Sequence, residues 1–170
     1  MPLLTALAIS IGVLGGLATW AFVGPMASLG LQIWAAFIAW AAFYHSGGGA
    51  AALKSNIPAH IFGAVVGWAS LWAITLLAPG LGVPVAGGIC VAIGAAVIVL
   101  AANIAALGSI PSSVYGFGCV AGYTPLAGKL GTLMSGSIVD NPLINIVVSM
   151  VIGAVLGFIS QKIGAAMAKE

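Results

Sequence analysis

No charged side chain occurs in residues 1–53, and none in residues 55–128. A charge at the centre of a membrane helix costs about 2.5–3.5 kcal/mol on insertion, so these two gaps are where spans can lie. A soluble domain carries about 25% charged residues. This chain of 170 residues carries 4%, against 62% hydrophobic, too few charges to clothe a water-facing surface. The charges are Lys54, Lys129, Asp140, Lys162, Lys169 and Glu170, with no Arg. Four scattered Lys form no phosphate-binding patch, so nucleic acid is not an expected partner. The lipid bilayer is.

A helix needs about 20 apolar residues to cross the hydrocarbon core. Gly and Pro divide the chain accordingly: spans are expected over Leu3–Val23, Ser28–Tyr44, Pro58–Ala78, Val83–Leu107 and Pro142–Ile159. The opening MPLLTALAIS lacks the basic start of a signal peptide and reads as the first permanent span. Residues 108–127 are weaker: Gly116, Gly118, Gly122 and Pro125 interrupt a short apolar run. That region reads as a short fifth span or a broken or re-entrant helix, tolerated where protein or a water-filled cavity satisfies its backbone. The expected architecture is an all-α membrane protein of about six transmembrane helices in one domain, residues 1–170. With the N-terminus in the cytoplasm, six spans place Lys54, Lys162 and Lys169 inside and Lys129 outside, in keeping with the positive-inside rule.

The two halves, about 1–80 and 81–170, share a pattern. An apolar segment ends in Tyr44 or Tyr123, a Gly-rich loop with a Lys follows, and Asn56 with Pro58, or Asn141 with Pro142, starts the next helix. That helix carries Gly63-Ala-Val-Val-Gly67-Trp in one half and Gly153-Ala-Val-Leu-Gly157-Phe in the other. Chance recurrence of Gly-Ala-Val strings is the plain alternative. A true three-span repeat inserts its second copy upside down, because three is odd, and inverted repeats surround midplane sites in many transporters. Gly pairs recur at spacing four: Gly12 with Gly16, Gly63 with Gly67, Gly118 with Gly122, and Gly153 with Gly157. Each pair puts two Gly on one helix face. Such faces are expected to serve close packing, inside the bundle or between subunits of a homo-oligomer.

Catalytic patterns are lacking. His45 and His60 have no carboxylate near them in sequence, and Asp140 is the one internal carboxylate. No G-x-S-x-G, phosphate loop or dinucleotide fingerprint occurs, so neither an enzyme nor a cofactor nor a metal is expected. Cys90 and Cys119 lie in apolar stretches and read as small buried residues. A pathway for a small, mostly uncharged solute such as urea, ammonia, a short amide or a protonated short-chain acid fits the lack of intramembrane charge. Its lining calls for a few hydroxyl, amide and aromatic groups in an apolar wall. The candidates are Tyr44, His45, Asn56, His60, Asn103, Ser112, Tyr115, Tyr123, Thr124, Asp140 and Asn141, with Ser46, Ser109, Ser113 and Asn145 beside them. Each has a plainer role: helix capping for Asn56, Asp140 and Asn141, the headgroup region for the His pair, an aromatic belt for Tyr44 and Tyr123. Two other functions stay open, a proton-coupled transporter using Asp140 or a His, and a non-transporting membrane partner subunit.

The stretch AWAAFYHSGGGAAALKSNIPAHIFGAVVGW and the C-terminal GAVLGFISQK resemble the bacterial inner-membrane proteins catalogued as domain of unknown function 1097. The resemblance covers nearly the whole chain. It implies a multi-pass protein of the inner membrane and supplies no site residues.

Overall fold

The computed structural model describes residues 1–168; Lys169 and Glu170, expected in the tail, lie outside them. Six α-helices make up the described chain: α1 (Leu3–Val23), α2 (Ile33–His45), α3 (Gly49–Leu81), α4 (Val83–Ala101), α5 (Ile110–Leu126) and α6 (Pro142–Met167). No strand occurs among the described residues. Four helices, α1, α3, α4 and α6, are long and apolar enough to cross a membrane. Many large apolar side chains, Leu4, Trp20, Leu100 and Leu126 among them, point outward from the bundle. Water would penalise such a surface and lipid would not, so the chain has the build of a multi-pass membrane protein.

Helix bounds follow local chemistry, and several differ from the sequence expectation. The first span is α1 as expected. The second starts later, at Ile33, because Ala27–Leu29 forms a separate 3-10 turn that ends at Gly30 with φ 69°. The third starts earlier. Gly47, Gly48 and Gly49, with φ of 86°, 71° and 72°, reverse the chain in three residues, and α3 begins at once. It runs through Pro58, which has no N–H to offer the Lys54 carbonyl. At 33 residues α3 is about 50 Å long, well beyond a hydrocarbon core of about 30 Å. The fourth ends at Ala101 rather than Leu107, because residues 102–107 leave the helix for a turn and a second 3-10 element.

Residues 110–126 correct the expectation of a broken segment: α5 is one continuous helix of 17 residues, about 26 Å long. Its glycines do not break it, and one of them has a packing use. A Cβ on Gly116 would overlap the His60 carbonyl and sit 2.9 Å from the Ala64 nitrogen, so α5 lies backbone to backbone on α3. Pro125 falls in the last turn, where it does little harm. The last helix starts at Pro142, as expected, and runs past Ile159 to Met167. Asn141 caps it: its Oδ1 accepts from the Leu143 N–H at 2.9 Å and the Ile144 N–H at 3.4 Å.

The largest helix contact is α3 on α5, followed by α2 on α6, α3 on α4 and α1 on α6. Small residues make these seams. A Cβ on Gly63 would lie 2.7 Å from Ser113 Cα, and one on Gly153 would lie 2.6 Å from Ala36 Cα. Gly67 meets the Phe117 backbone and Gly157 the Phe43 ring. Two of the four Gly pairs therefore pack helices inside the chain, as expected.

The other two pairs make no such contact within the monomer. A Cβ added to Gly12, to Gly16, to Gly118 or to Gly122 would meet nothing within 4 Å. Helical phase is the reason. On α1 the face laid against the bundle carries Ala6, Ser10 and Ala18, and at about 100° per residue Gly12 and Gly16 fall on the opposite side. Gly16 is exposed there, as is Gly12. On α5 the buried face carries Ser112, Gly116, Cys119 and Tyr123, and Gly118 and Gly122 again fall opposite. Between the seams lies a core of Ala35, Ala39, Ala64, Val120, Ile146, Met150 and Ala154. Cys90 and Cys119 are buried and free.

Candidate functional site

Polar side chains inside the bundle gather at its two ends. At one end, α3 and α5 bring Asn56, His60 and Ser112 together, each at most 1% exposed. Asn56 and His60 are one turn apart and share a face of α3. The Asn56 Oδ1 accepts from Ser46 Oγ at 3.0 Å and from Ser112 Oγ at 3.0 Å. Ser109 Oγ donates to Ser112 Oγ at 2.7 Å, which leaves the Ser112 proton for Asn56. The His60 Nδ1 lies 2.8 Å from the Ser112 carbonyl. A carbonyl only accepts, so Nδ1 carries the proton and the neutral ring offers a lone pair at Nε2.

Two buried polar atoms of this cluster, Asn56 Nδ2 and His60 Nε2, have no protein partner, and neither has Ser113 Oγ elsewhere on α5. A buried polar atom left unpaired costs about 1–3 kcal/mol. The Asn56 and His60 atoms are complementary in type, an amide donor and an imidazole acceptor.

The opposite end holds a second cluster, around Asn145 at the start of α6. The Asn145 Nδ2 donates to the Ile138 and Leu29 carbonyls, the latter at 3.5 Å. Its Oδ1 accepts from Lys129 Nζ at 3.1 Å and from Tyr123 OH at 3.5 Å. Gln32 joins from the start of α2. Its Nε2 donates to Tyr123 OH at 3.2 Å, and its N–H donates to Ser149 Oγ at 2.8 Å. From Ser112 to Tyr123 along α5 the two clusters are about 16 Å apart. The apolar core fills the space between them.

A third node lies where α2 ends against α6. Ser160 Oγ donates to the Gly157 carbonyl at 2.8 Å, so Tyr44 OH, at 2.8 Å, and Trp40 Nε1, at 3.1 Å, donate to it. The α2–α3 turn is fixed nearby by the Gly49 N–H donating to Gln161 Oε1 at 2.7 Å.

The expected pathway residues are thus divided. Asn56, His60 and Ser112 meet at one end and Tyr123 with Asn145 at the other, while Tyr44 belongs to the Ser160 node. His45 and Tyr115 line one end of an apolar groove between α2 and α5, whose other end is lined by Trp34 and Tyr123. Three expectations are corrected. Asn103 lies beyond the end of α4, exposed, donating to the Leu100 carbonyl at 2.8 Å. Thr124 is buried but bonds only within its helix, to the Val120 carbonyl at 2.8 Å. Asp140 turns its exposed side chain away and contributes its main-chain carbonyl to Lys129 and Thr132. Asn141 is the α6 cap and also donates to the Ser135 carbonyl at 2.7 Å. Sequence reasoning misses Gln32, Ser149, Ser160 and Gln161. An uncharged polar side chain within a long apolar run is the signal that marks each of them.

A family model described as "Protein of unknown function (DUF1097)" matches residues 8–165. No curated protein and no solved structure matches the chain. The match spans nearly all of the sequence, and the chain belongs to that family.

Proposed function

We propose that this member of the DUF1097 family is an inverted-repeat facilitator for a small, mostly uncharged solute in the bacterial inner membrane. The observation that carries the reading is the unpaired couple Asn56 Nδ2 and His60 Nε2, buried one turn apart on α3. A neutral molecule with both N–H or O–H donors and a carbonyl acceptor satisfies that set, as urea, a short amide or a protonated acid does. No fixed charge in the cluster favours an ion.

The repeat is supported by the register of buried positions. A shift of 90, Gly63 onto Gly153, carries every buried residue of α3 onto a buried residue of α6, including Ala64 onto Ala154, Gly67 onto Gly157 and Ser70 onto Ser160. A shift of 77 carries Ala35, Ala36, Ala39, Ala42 and Phe43 of α2 onto Ser112, Ser113, Gly116, Cys119 and Val120 of α5. A shift of 80 carries Ala6, Ser10 and Ala18 of α1 onto Ala86, Cys90 and Ile98 of α4. The seams match as well, α3–α5 with α6–α2 and α3–α4 with α6–α1. In this register Tyr44 pairs with Ala121 and Asn56 with Ile146, so the loop-based pairings Tyr44/Tyr123 and Asn56/Asn141 do not carry over. The Gly63/Gly153 pairing does.

The route runs from the Asn56–His60 cluster through the apolar waist to the Tyr123–Asn145 cluster. The waist is filled by four Ala with Val120, Ile146 and Met150, whose flexible thioether adapts readily. Hydrophobic constrictions of this kind gate by dewetting. The Gly49–Gln161 bond sets the start of α3 beside the end of α6, so Lys54 and Lys162 share one end and Lys129 lies at the other. The positive-inside rule makes the Lys54 end cytoplasmic.

Stopped-flow light scattering on reconstituted vesicles tests the reading with urea, acetamide, ammonia and a protonated short-chain acid. At least one equilibrates faster than in empty vesicles, and His60→Leu and Asn56→Leu each slow it. No uptake above empty vesicles for any of them rejects the facilitator. A proton-coupled carrier is the second reading, favoured by the burial of His60. It predicts flux that follows a pH gradient and fails in His60→Ala; the exposed Asp140 carboxyl leaves Asp140→Asn without effect.

A further inference from the structure

The Lys129 ammonium sits in a cage of neutral oxygens. It donates to the main-chain carbonyl of Val139, to that of Asp140 at 3.2 Å and to Asn145 Oδ1 at 3.1 Å. An alkylammonium has three N–H bonds and no more, so the three oxygens use every donor it has. The Tyr123 ring faces the same nitrogen, 5.8 Å from ring centroid to Nζ. Asn145 is fully buried, and its Nδ2 is tied to the Ile138 and Leu29 carbonyls, which fixes Oδ1 toward the ammonium. The other two oxygens come from the far end of the same loop that starts at Lys129. The loop thus closes on itself around the chain's own cation.

We propose that this cage is a primary-ammonium site whose resident ligand is Lys129, and that the tethered charge makes the nearby mouth of the pathway reject free cations. Converging carbonyl oxygens are what channels use to replace the hydration shell of a cation. Left empty, this set would draw ammonium, potassium or a small amine to the Tyr123–Asn145 end. Filled by Lys129, it presents a tethered positive charge, which repels a second cation and leaves neutral solutes unaffected. The cage stands on its own geometry; its effect on selectivity rests on the facilitator reading.

Lys129→Ala removes the ammonium and leaves a space matching n-propylammonium, the atoms lost beyond Cβ. The purified variant in detergent gains melting temperature with n-propylammonium in a saturable way. Tetramethylammonium, which has no N–H, leaves it unchanged, and wild type responds to neither. Absence of that rise overturns the cage. In vesicles, Lys129→Ala passes ammonium or potassium about tenfold or more faster than wild type, and n-propylammonium closes the leak. Amine binding with no cation leak overturns the selectivity role and leaves the cage. Amine binding to a protein that passes no neutral solute sinks the facilitator and leaves the cage. A variant that does not fold is replaced by reductive methylation of wild type, read by mass spectrometry. Lys129 is modified much more slowly than the exposed Lys54 and Lys162; equal rates at Lys129 and Lys54 overturn the cage.

Discussion

A methyl group placed on Gly63 tests the closest helix seam. Its Cβ would sit 2.7 Å from Ser113 Cα and closer still to the Ser113 carbonyl, all of it backbone that no rotamer change can move. Carbon atoms rest about 3.5–4.0 Å apart and the Ser113 carbonyl is nearer than its Cα, so α3 and α5 must separate by at least about 1 Å, and a gap of that size already forfeits about half of each contact across the seam. Overpacking of this kind costs about 1–3 kcal/mol, and a rigid backbone contact belongs at the upper end. Against it, Ala is the better helix former by about 1 kcal/mol. The net expectation for Gly63→Ala is a loss of about 2 kcal/mol, a fall of up to about 30-fold in the folded-to-unfolded ratio. Gly153→Ala meets Ala36 Cα at 2.6 Å and should cost the same. Gly16→Ala, Gly118→Ala and Gly122→Ala meet nothing within 4 Å and should be neutral or slightly stabilising. Titration from dodecyl maltoside into SDS, followed by circular dichroism, measures all five. A Gly63→Ala protein as stable as wild type, or a Gly118→Ala protein equally weakened, refutes the seam argument.

Ser160→Ala strips the acceptor from both Tyr44 and Trp40 and should cost about 1–3 kcal/mol, with Tyr44→Phe adding little on top of it in a double-mutant cycle. Asn141→Ala removes the α6 cap and should cost about 0.5–2 kcal/mol by the same titration. In a background with Cys90 and Cys119 replaced by Ala, Lys54→Cys and Lys162→Cys should react with an impermeant maleimide from the cytoplasmic side, and Lys129→Cys from the other side or not at all; labelling of Lys54→Cys and Lys162→Cys from opposite faces contradicts their shared end.

The sequence exposes the helices wherever a stretch is uniformly apolar. The bounds of α1 and the start of α6 at Asn141-Pro142 are legible because charge-free length and a capping pair are local signals. The early start of α3 is not legible: residues 49–57 mix Ala with Lys54, Ser55 and Asn56, and what fixes them is remote, Gln161 on the turn and Ser112 on Asn56. For α5, the glycines read as breaks because the reason for Gly116, the His60 carbonyl of another helix, is invisible in one dimension. Spacing four is equally blind to direction: it puts Gly12 and Gly16 on one face of α1 without saying that the face points away from the bundle. The members of the Asn56–His60–Ser112 cluster are legible one by one, since buried polar groups stand out in an apolar chain. Gln32 and Ser160 are marked by the same reasoning and escape a search centred on loops and helix starts. On the repeat proposed above, the loop-based alignment of Tyr44 with Tyr123 gives way for a different reason. Loops differ in length between halves, and only the buried helix faces keep a constant spacing.

The interleaved seams set the order of assembly during synthesis. The chief neighbour of both α1 and α2 is α6, which leaves the ribosome after the other five helices. Until it arrives, α1 and α2 lack their largest contact and keep smaller ones, those of α2 with α3 and α5 among them, and long-range contacts of this type form late. A nascent chain truncated before Pro142 would keep its hydrophobicity and lack its partner, the state a membrane quality-control protease recognises. Supplying α6 as a separate polypeptide should rescue such a truncation.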